Sequence, residues 1–282
     1  MDGSAFRALF RASWAVSSSD GSQAGRVRHP EHLPPPRRLL LLEGLAIMSR
    51  SWRAFGHLGE RGPSDGRPVM IIPGFFASDR STLGLQRGLA RAGYRVAGWG
   101  LGTNHGAHKR MLDDIIVRLE HFSADRPVIL VGWSLGGLFA REVAKLRPDL
   151  VSHVFTMGSP FSGDPRANNA WRLYERVTGH PVDRPPLQVD IGSKPPVPTV
   201  ALWSRRDGMV APASARGTDL ERDRHVELTC RHMGFATSRR AIRDVVRIIA
   251  QDAPPQGGGR IDESVYRRKS PGRRGPKKEQ NG

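Results

Sequence analysis

The sequence is short of cysteine, of lysine and of long apolar runs, and each shortage excludes something. Cys230 is the only cysteine among 282 residues, which forbids an internal disulfide and any metal site built on several thiolates. No stretch approaches the ~18 uninterrupted apolar residues that a membrane-spanning helix needs, and the mean hydropathy is −0.44. A helical integral membrane protein is excluded. The first residues also lack the long apolar stretch and the small-residue cleavage site of a signal peptide. Zinc-finger spacing, an aromatic-rich RNP stretch and a basic helix of bZIP type are all missing. These last absences matter because the formal net charge is +17, a value that invites nucleic acid. The charge is scattered: residues 254–282 carry a net +5, residues 1–66 a net +3, and the remaining +9 is spread as single arginines among acids. Arginine outnumbers lysine 38 to 6, as a coding bias toward arginine would produce. Nucleic acid is therefore not an expected partner. Weak association with anionic membrane surfaces stays open on field grounds alone, and the expected compartment is the cytoplasm.

What is present suits one α/β domain of ordinary size. Residues 1–38 read as a disordered leader closed by the proline-rich stretch His32–Arg38, with Phe6, Leu9, Phe10 and Trp14 at the spacing of a short interfacial helix. Leu39–Met48 reads as a helix packed on the core. From Pro68 onward, short β-rich runs alternate with longer helical stretches. Val69–Ile72, Tyr94–Ala97, Pro127–Gly132, Val154–Met157, Thr199–Trp203 and His225–Leu228 are the expected strands. Leu83–Ala92, Met111–Phe122, a stretch ending near Leu146, and Ser238–Ala250 are the expected helices. This alternation implies a mostly parallel sheet covered on both faces. Residues 161–198 break the rhythm; they are rich in proline and hold one helical piece at Trp171–Val177. An insertion over the carboxyl edge of a sheet would be a lid. Residues 254–282 read as a disordered basic tail, leaving 39–253 as the folded domain.

The chemistry starts at Val128-Ile129-Leu130-Val131-Gly132-Trp133-Ser134-Leu135-Gly136-Gly137. A buried strand runs into Gly-x-Ser-x-Gly and then into a helix. On so sharp a turn, side chains two residues before and after the serine would collide, so both positions are glycine. The serine hydroxyl is thereby exposed at the carboxyl edge of the sheet, at the positive end of a helix. A serine hydroxyl is a weak nucleophile at neutral pH and needs a general base. His232, between the last expected strand and the final helix, stands at the right edge. The imidazole in turn needs a carboxylate to hold its tautomer. Asp207, in the turn Arg206-Asp207-Gly208 after Trp203, is the first candidate; Asp164 is a second, and Asp219 and Asp223 fall in a charged connection. His225 reads as structural, and His105 and His108 as surface or pocket-lining. Two backbone N–H groups must converge on the oxyanion: Leu135, directly after the nucleophile, and Phe75, in the loop Pro73-Gly74-Phe75-Phe76-Ala77-Ser78. Phe76 and Trp133 are expected to line an apolar acyl pocket, together with lid residues such as Trp171 and Tyr174.

Taken together, these residues resemble an α/β-hydrolase, in particular a bacterial lipase or carboxylesterase, over roughly Pro68–Ala250. Gly132–Gly136 is similar to that family's nucleophile elbow, Asp207 to its acid and His232 to its base. Pro73-Gly74-Phe75 resembles its His-Gly-x oxyanion loop with proline in place of histidine. The wording Gly-Trp-Ser-Leu-Gly-Gly is also similar to carboxylesterases acting on acyl chains held by an acidic carrier protein. The resemblance implies an α/β-hydrolase fold and a serine hydrolase of small-molecule or lipid esters, working through an acyl-enzyme without metal or organic cofactor. An acyltransferase or acyl-thioester esterase using the same three residues is the alternative. A non-catalytic protein of this fold is the third reading, and the intact Ser–Asp–His set argues against it.

Overall fold

Short runs of aliphatic residues set the sheet. A computed structural model describes residues 33–48, 66–123, 126–187 and 190–253; the readings of residues 1–32 and of the basic tail lie outside these. Six strands, β1 (Pro68–Ile72), β2 (Arg95–Gly98), β3 (Val128–Trp133), β4 (Val151–Met157), β5 (Thr199–Trp203) and β6 (Arg224–Glu227), form one sheet in the order β2-β1-β3-β4-β5-β6. Every pairing is parallel. The inner strands β1, β3 and β5 are buried along their whole length, as strands covered on both faces must be, and so read as unbroken apolar runs. The edges differ. β2 begins on an exposed arginine and β6 is Arg-His-Val-Glu, largely exposed, which discourages further strands from adding there.

Alternate residues of each strand feed two separate cores. Val69, Ile71, Ile129, Val131, Trp133 and Phe155 pack with helices α2 (Leu83–Arg91) and α8 (Arg239–Asp252) on one face. Met70, Ile72, Val128, Leu130 and Val154 pack with α3 (Met111–Ser123) and α4 (Leu135–Leu146) on the other. Gly93, at φ 91°, stops the chain after α2, as its position after a helical run predicts. α4 buries residues all round, including Arg141 and Glu142; the Arg141 guanidinium donates to the Gly192 and Ser193 carbonyls and lies over the Phe161 ring, all three in the connection from β4 to β5. Among the described residues of that connection there is one helix, α5 (Trp171–Thr178). Three short pieces escape the periodicity of the sequence: the 3₁₀ turn Asp79–Thr82, α6 (Pro212–Arg216) and α7 (Gly234–Thr237). The N-terminal helix α1 spans Arg37–Met48, starting two residues before its expected position. No described helix is long and apolar enough to cross a membrane.

The connection from β1 leads outward to β2, whereas that from β3 leads the other way to β4. The strand order therefore reverses between β1 and β3. In open parallel sheets a crevice forms at the carboxyl ends of the strands where this happens, and both the Pro73–Ser78 loop and Ser134 leave the sheet there.

Candidate active site

The turn from β3 into α4 holds Ser134 at φ 55° and ψ −123°, a conformation that costs a side chain about 1–3 kcal/mol. Its N–H donates to the Met157 carbonyl (2.8 Å), and its own carbonyl accepts from the Gly137 N–H (3.0 Å). A methyl group at position 132 would strike the Gly137 backbone and the Gly136 carbonyl. The collision across the turn is the expected one. At position 136 the obstacle is different: a side chain there would meet the Ile72 and Pro73 carbonyls at the end of β1. Gly136 thus lets the helix approach the neighbouring strand.

The loop after β1 comes close to the serine. A Cβ at Gly74 would lie 3.0 Å from Ser134 Cβ and 3.2 Å from the Trp133 carbonyl, so any larger residue would push the loop and the serine apart by a few tenths of an ångström. Among the described residues, neither the Phe75 nor the Leu135 N–H donates to another backbone group, which leaves both available beside Ser134. Phe76, at φ 56°, is with Ser134 the only non-glycine residue at positive φ among the described residues. Its N–H is taken by the Asn104 carbonyl (2.8 Å), and its half-exposed ring stands outside the pocket wall, edge-on to His105.

Asp207 and His232 meet directly. His232 Nδ1 lies 2.8 Å from Asp207 Oδ2, and both residues are buried. Asp207 Oδ1 accepts the N–H groups of Met209 (2.8 Å) and Val210 (2.9 Å), which fixes the carboxylate and leaves the other oxygen for the imidazole. Ser204 Oγ donates to the Cys230 carbonyl (2.6 Å) and joins the acid loop to the base loop. Burial alone would lower the His232 pKa; the Asp207 charge and hydrogen bond, with the charge of Glu43, outweigh it and raise the pKa. With Nδ1–H turned to Asp207, Nε2 keeps its lone pair. Among the described residues no hydrogen bond joins Nε2 to the Ser134 hydroxyl, a contact that often tightens only when substrate is bound.

The other candidate acids have other partners. Asp164 accepts the Arg166 N–H (2.8 Å), Asp219 pairs with Arg222, and Asp223 accepts the Thr199 N–H (2.8 Å) and pairs with Lys194. His225 lies in β6 with Nδ1 at 3.2 Å from Trp203 Nε1. His105 and His108 are exposed.

Trp133 calls for a correction. It is expected on the acyl pocket but is 2% exposed, packed in the core on the far side of the elbow. Side chains alternate along a strand, and the residue before the serine points away from the pocket. Its indole instead donates to the His232 carbonyl (3.2 Å) and stacks obliquely on the imidazole. The pocket itself, about 190 Å³, is bounded by Phe75, Ser134, the α4 face Leu135–Leu138–Phe139–Glu142, and Trp171 and Tyr174 of α5. Its walls are largely apolar.

Two buried polar residues went unread in the sequence. Asn104, fully buried, donates through Nδ2 to the Pro73 carbonyl (2.8 Å), accepts the Gly106 N–H through Oδ1 (3.1 Å), and exchanges backbone bonds with Phe76 and Ala77 (both 2.8 Å). It staples the Gly74–Phe75 loop in place. Its only signal was its position between glycines in a loop after β2. Glu43 of α1, 3% exposed, accepts the N–H groups of Gly208, His232 and Met233; nothing in the sequence near it pointed to that role.

Comparison with known proteins agrees with this architecture. Residues 67–179 match the family model of the alpha/beta hydrolase fold. Among solved structures, one described for LipS and LipT, two metagenome-derived lipolytic enzymes, superposes with a TM-score of 0.51 at 17% identity, covering 68% of this chain and 95% of that one. A putative non-heme bromoperoxidase, BpoC from Mycobacterium tuberculosis H37Rv, gives 0.50 at 18% identity over 70% of this chain and 99% of that one. No curated protein matches the sequence. The protein has the alpha/beta hydrolase fold, built on an open, all-parallel six-stranded sheet.

Proposed function

We propose that the protein is a serine hydrolase that cleaves carboxylic esters through an acyl-enzyme on Ser134. The observation that carries this reading is the buried Asp207–His232 hydrogen bond (2.8 Å) at the same sheet edge as a serine in strained, left-handed backbone. The fold shared with lipolytic enzymes is consistent with it.

In this mechanism Ser134 Oγ attacks the ester carbonyl carbon as His232 Nε2 takes the hydroxyl proton. Asp207 stabilises the resulting imidazolium. The N–H groups of Phe75 and Leu135 donate to the carbonyl oxygen as it becomes an oxyanion. Collapse of the tetrahedral intermediate expels the alcohol, which receives the proton from His232. Water then attacks the acyl-enzyme with the same base, and release of the acid restores Ser134. The acyl chain lies in the pocket along α4, with residues 161–198 as its cover and 39–253 as one catalytic unit.

Treatment with a fluorophosphonate followed by peptide mapping tests this. A single adduct on Ser134, absent in Ser134→Ala, together with loss of ester hydrolysis in that variant, is the expected result. A folded protein that carries no adduct with or without detergent, or a Ser134→Ala variant with full activity, overturns the reading. Product analysis with added alcohols and thiols separates hydrolysis from acyl transfer.

A further inference from the structure

The sheet alone does not hold the acid and the base. Both loops are gripped from outside by the N-terminal segment. Glu43 Oε1 accepts the Gly208 N–H (3.2 Å) and the His232 N–H (2.7 Å), and Oε2 accepts the Met233 N–H (3.2 Å). One carboxylate therefore spans the residue after Asp207, His232 itself, and the residue after His232. It is buried. A buried carboxylate is costly unless hydrogen-bonded, and here three backbone donors satisfy it.

The surrounding packing is built for this approach. A Cβ at Gly208 would lie 2.6 Å from the Leu39 carbonyl group of α1, so the acid loop carries glycine where the helix backbone rests on it. Just before α1, the Pro35 carbonyl accepts from Asn169 Nδ2 (3.0 Å), and the same amide donates to the Gly208 carbonyl (2.7 Å). The segment is thus tied to Gly208 through both its N–H, directly, and its carbonyl, by way of Asn169.

We infer that Glu43 is a positioning residue of the active site, one that locks the Asp207 and His232 loops to each other and places a second negative charge beside the imidazole. This rests on the serine hydrolase reading for its consequence in catalysis, although the effect on His232 can be measured without it. The charged and titratable groups acting on His232 are Asp207 and Glu43, with the indole of Trp133 donating to its carbonyl; Cys230 lies two residues before it on the base loop. Of these, Asp207 and Glu43 favour the imidazolium. Removing the Glu43 charge must then lower the His232 pKa. Because the free base is the working form, the acidic limb of kcat/KM would move to lower pH with it.

The test is a histidine-selective NMR titration of His232, assigned by loss of its signal in His232→Gln, run beside the pH profile of ester hydrolysis. In Glu43→Gln the midpoint should fall by on the order of half a pH unit and the kinetic limb should follow. The amide NH₂ would also face the Met233 N–H, so kcat should drop. Glu43→Asp keeps the charge and shortens the reach; it should leave the midpoint near the wild-type value and still lower kcat. A Glu43→Gln variant with an unchanged His232 midpoint, whatever its melting temperature, overturns the inference. If Glu43→Gln does not fold, a folded Glu43→Asp with wild-type kcat overturns it equally. Failure of the hydrolase reading would show separately, as absence of the Ser134 adduct beside an intact midpoint shift.

Discussion

Asn104 is the residue whose removal would say most about how the proposed oxyanion donors are aimed. Its amide holds the Pro73 carbonyl from inside the protein while its backbone brackets Phe76 and Ala77. Asn104→Ala leaves that carbonyl and the Gly106 N–H without partners, at a cost of about 1–3 kcal/mol in stability. With the Phe75 amide less well directed, kcat should fall about tenfold or more while KM changes little; steady-state kinetics alongside thermal denaturation would check both. At this scale the sequence was readable where chemistry and local chain geometry coincide. Ser134 sits in a pattern that describes its own turn, and Asp207 and His232 follow from chain order and from the strands they leave. Asn104, Glu43 and the indole of Trp133 were not readable. Their partners lie 31, 165 and 99 residues away, and no local pattern encodes a meeting of that kind.

In the proposed mechanism α4 serves both the chemistry and the pocket. Its first turn presents the Leu135 N–H, while Leu135, Leu138, Phe139 and Glu142 line the cavity at positions i, i+3, i+4 and i+7. At 1.5 Å per residue that face extends about 10 Å beyond the serine, the length of a medium acyl chain. Leu138→Trp would block it partway, and we expect the preference in a p-nitrophenyl ester series to shift toward short acyl groups, the long-to-short ratio of kcat/KM falling by roughly tenfold. Long helices such as α4 and α8 were legible because a buried stripe repeats over several turns. α6 and α7, of five and four residues, are too short to repeat, and only tertiary contacts reveal them. Trp133 was assigned to the wrong side because it neighbours the nucleophile in sequence, whereas strand alternation sends it to the opposite face.

At the scale of the whole molecule, the reversal of strand order between β1 and β3 opens a crevice at the carboxyl ends of the strands, where residues that follow each of the six strands gather. The alternation of strands and helices made that architecture predictable, and the observed order β2-β1-β3-β4-β5-β6 adds where along the sheet the crevice falls. Cys230 is buried, and desolvation, with the nearby charges of Asp207, Glu43 and Asp244, pushes its thiol well above the usual range. To a maleimide at neutral pH, the folded protein therefore presents no reactive sulfur. Leu173 lies half exposed on α5, the helix whose Trp171 and Tyr174 line the pocket. Leu173→Cys should take one dye and no more, with mass spectrometry confirming a single label and none on the parent protein. Such a dye would ride on the helix that supplies part of the pocket wall, so that a molecule with a single sheltered thiol becomes its own optical gauge of whether that helix moves when a ligand enters.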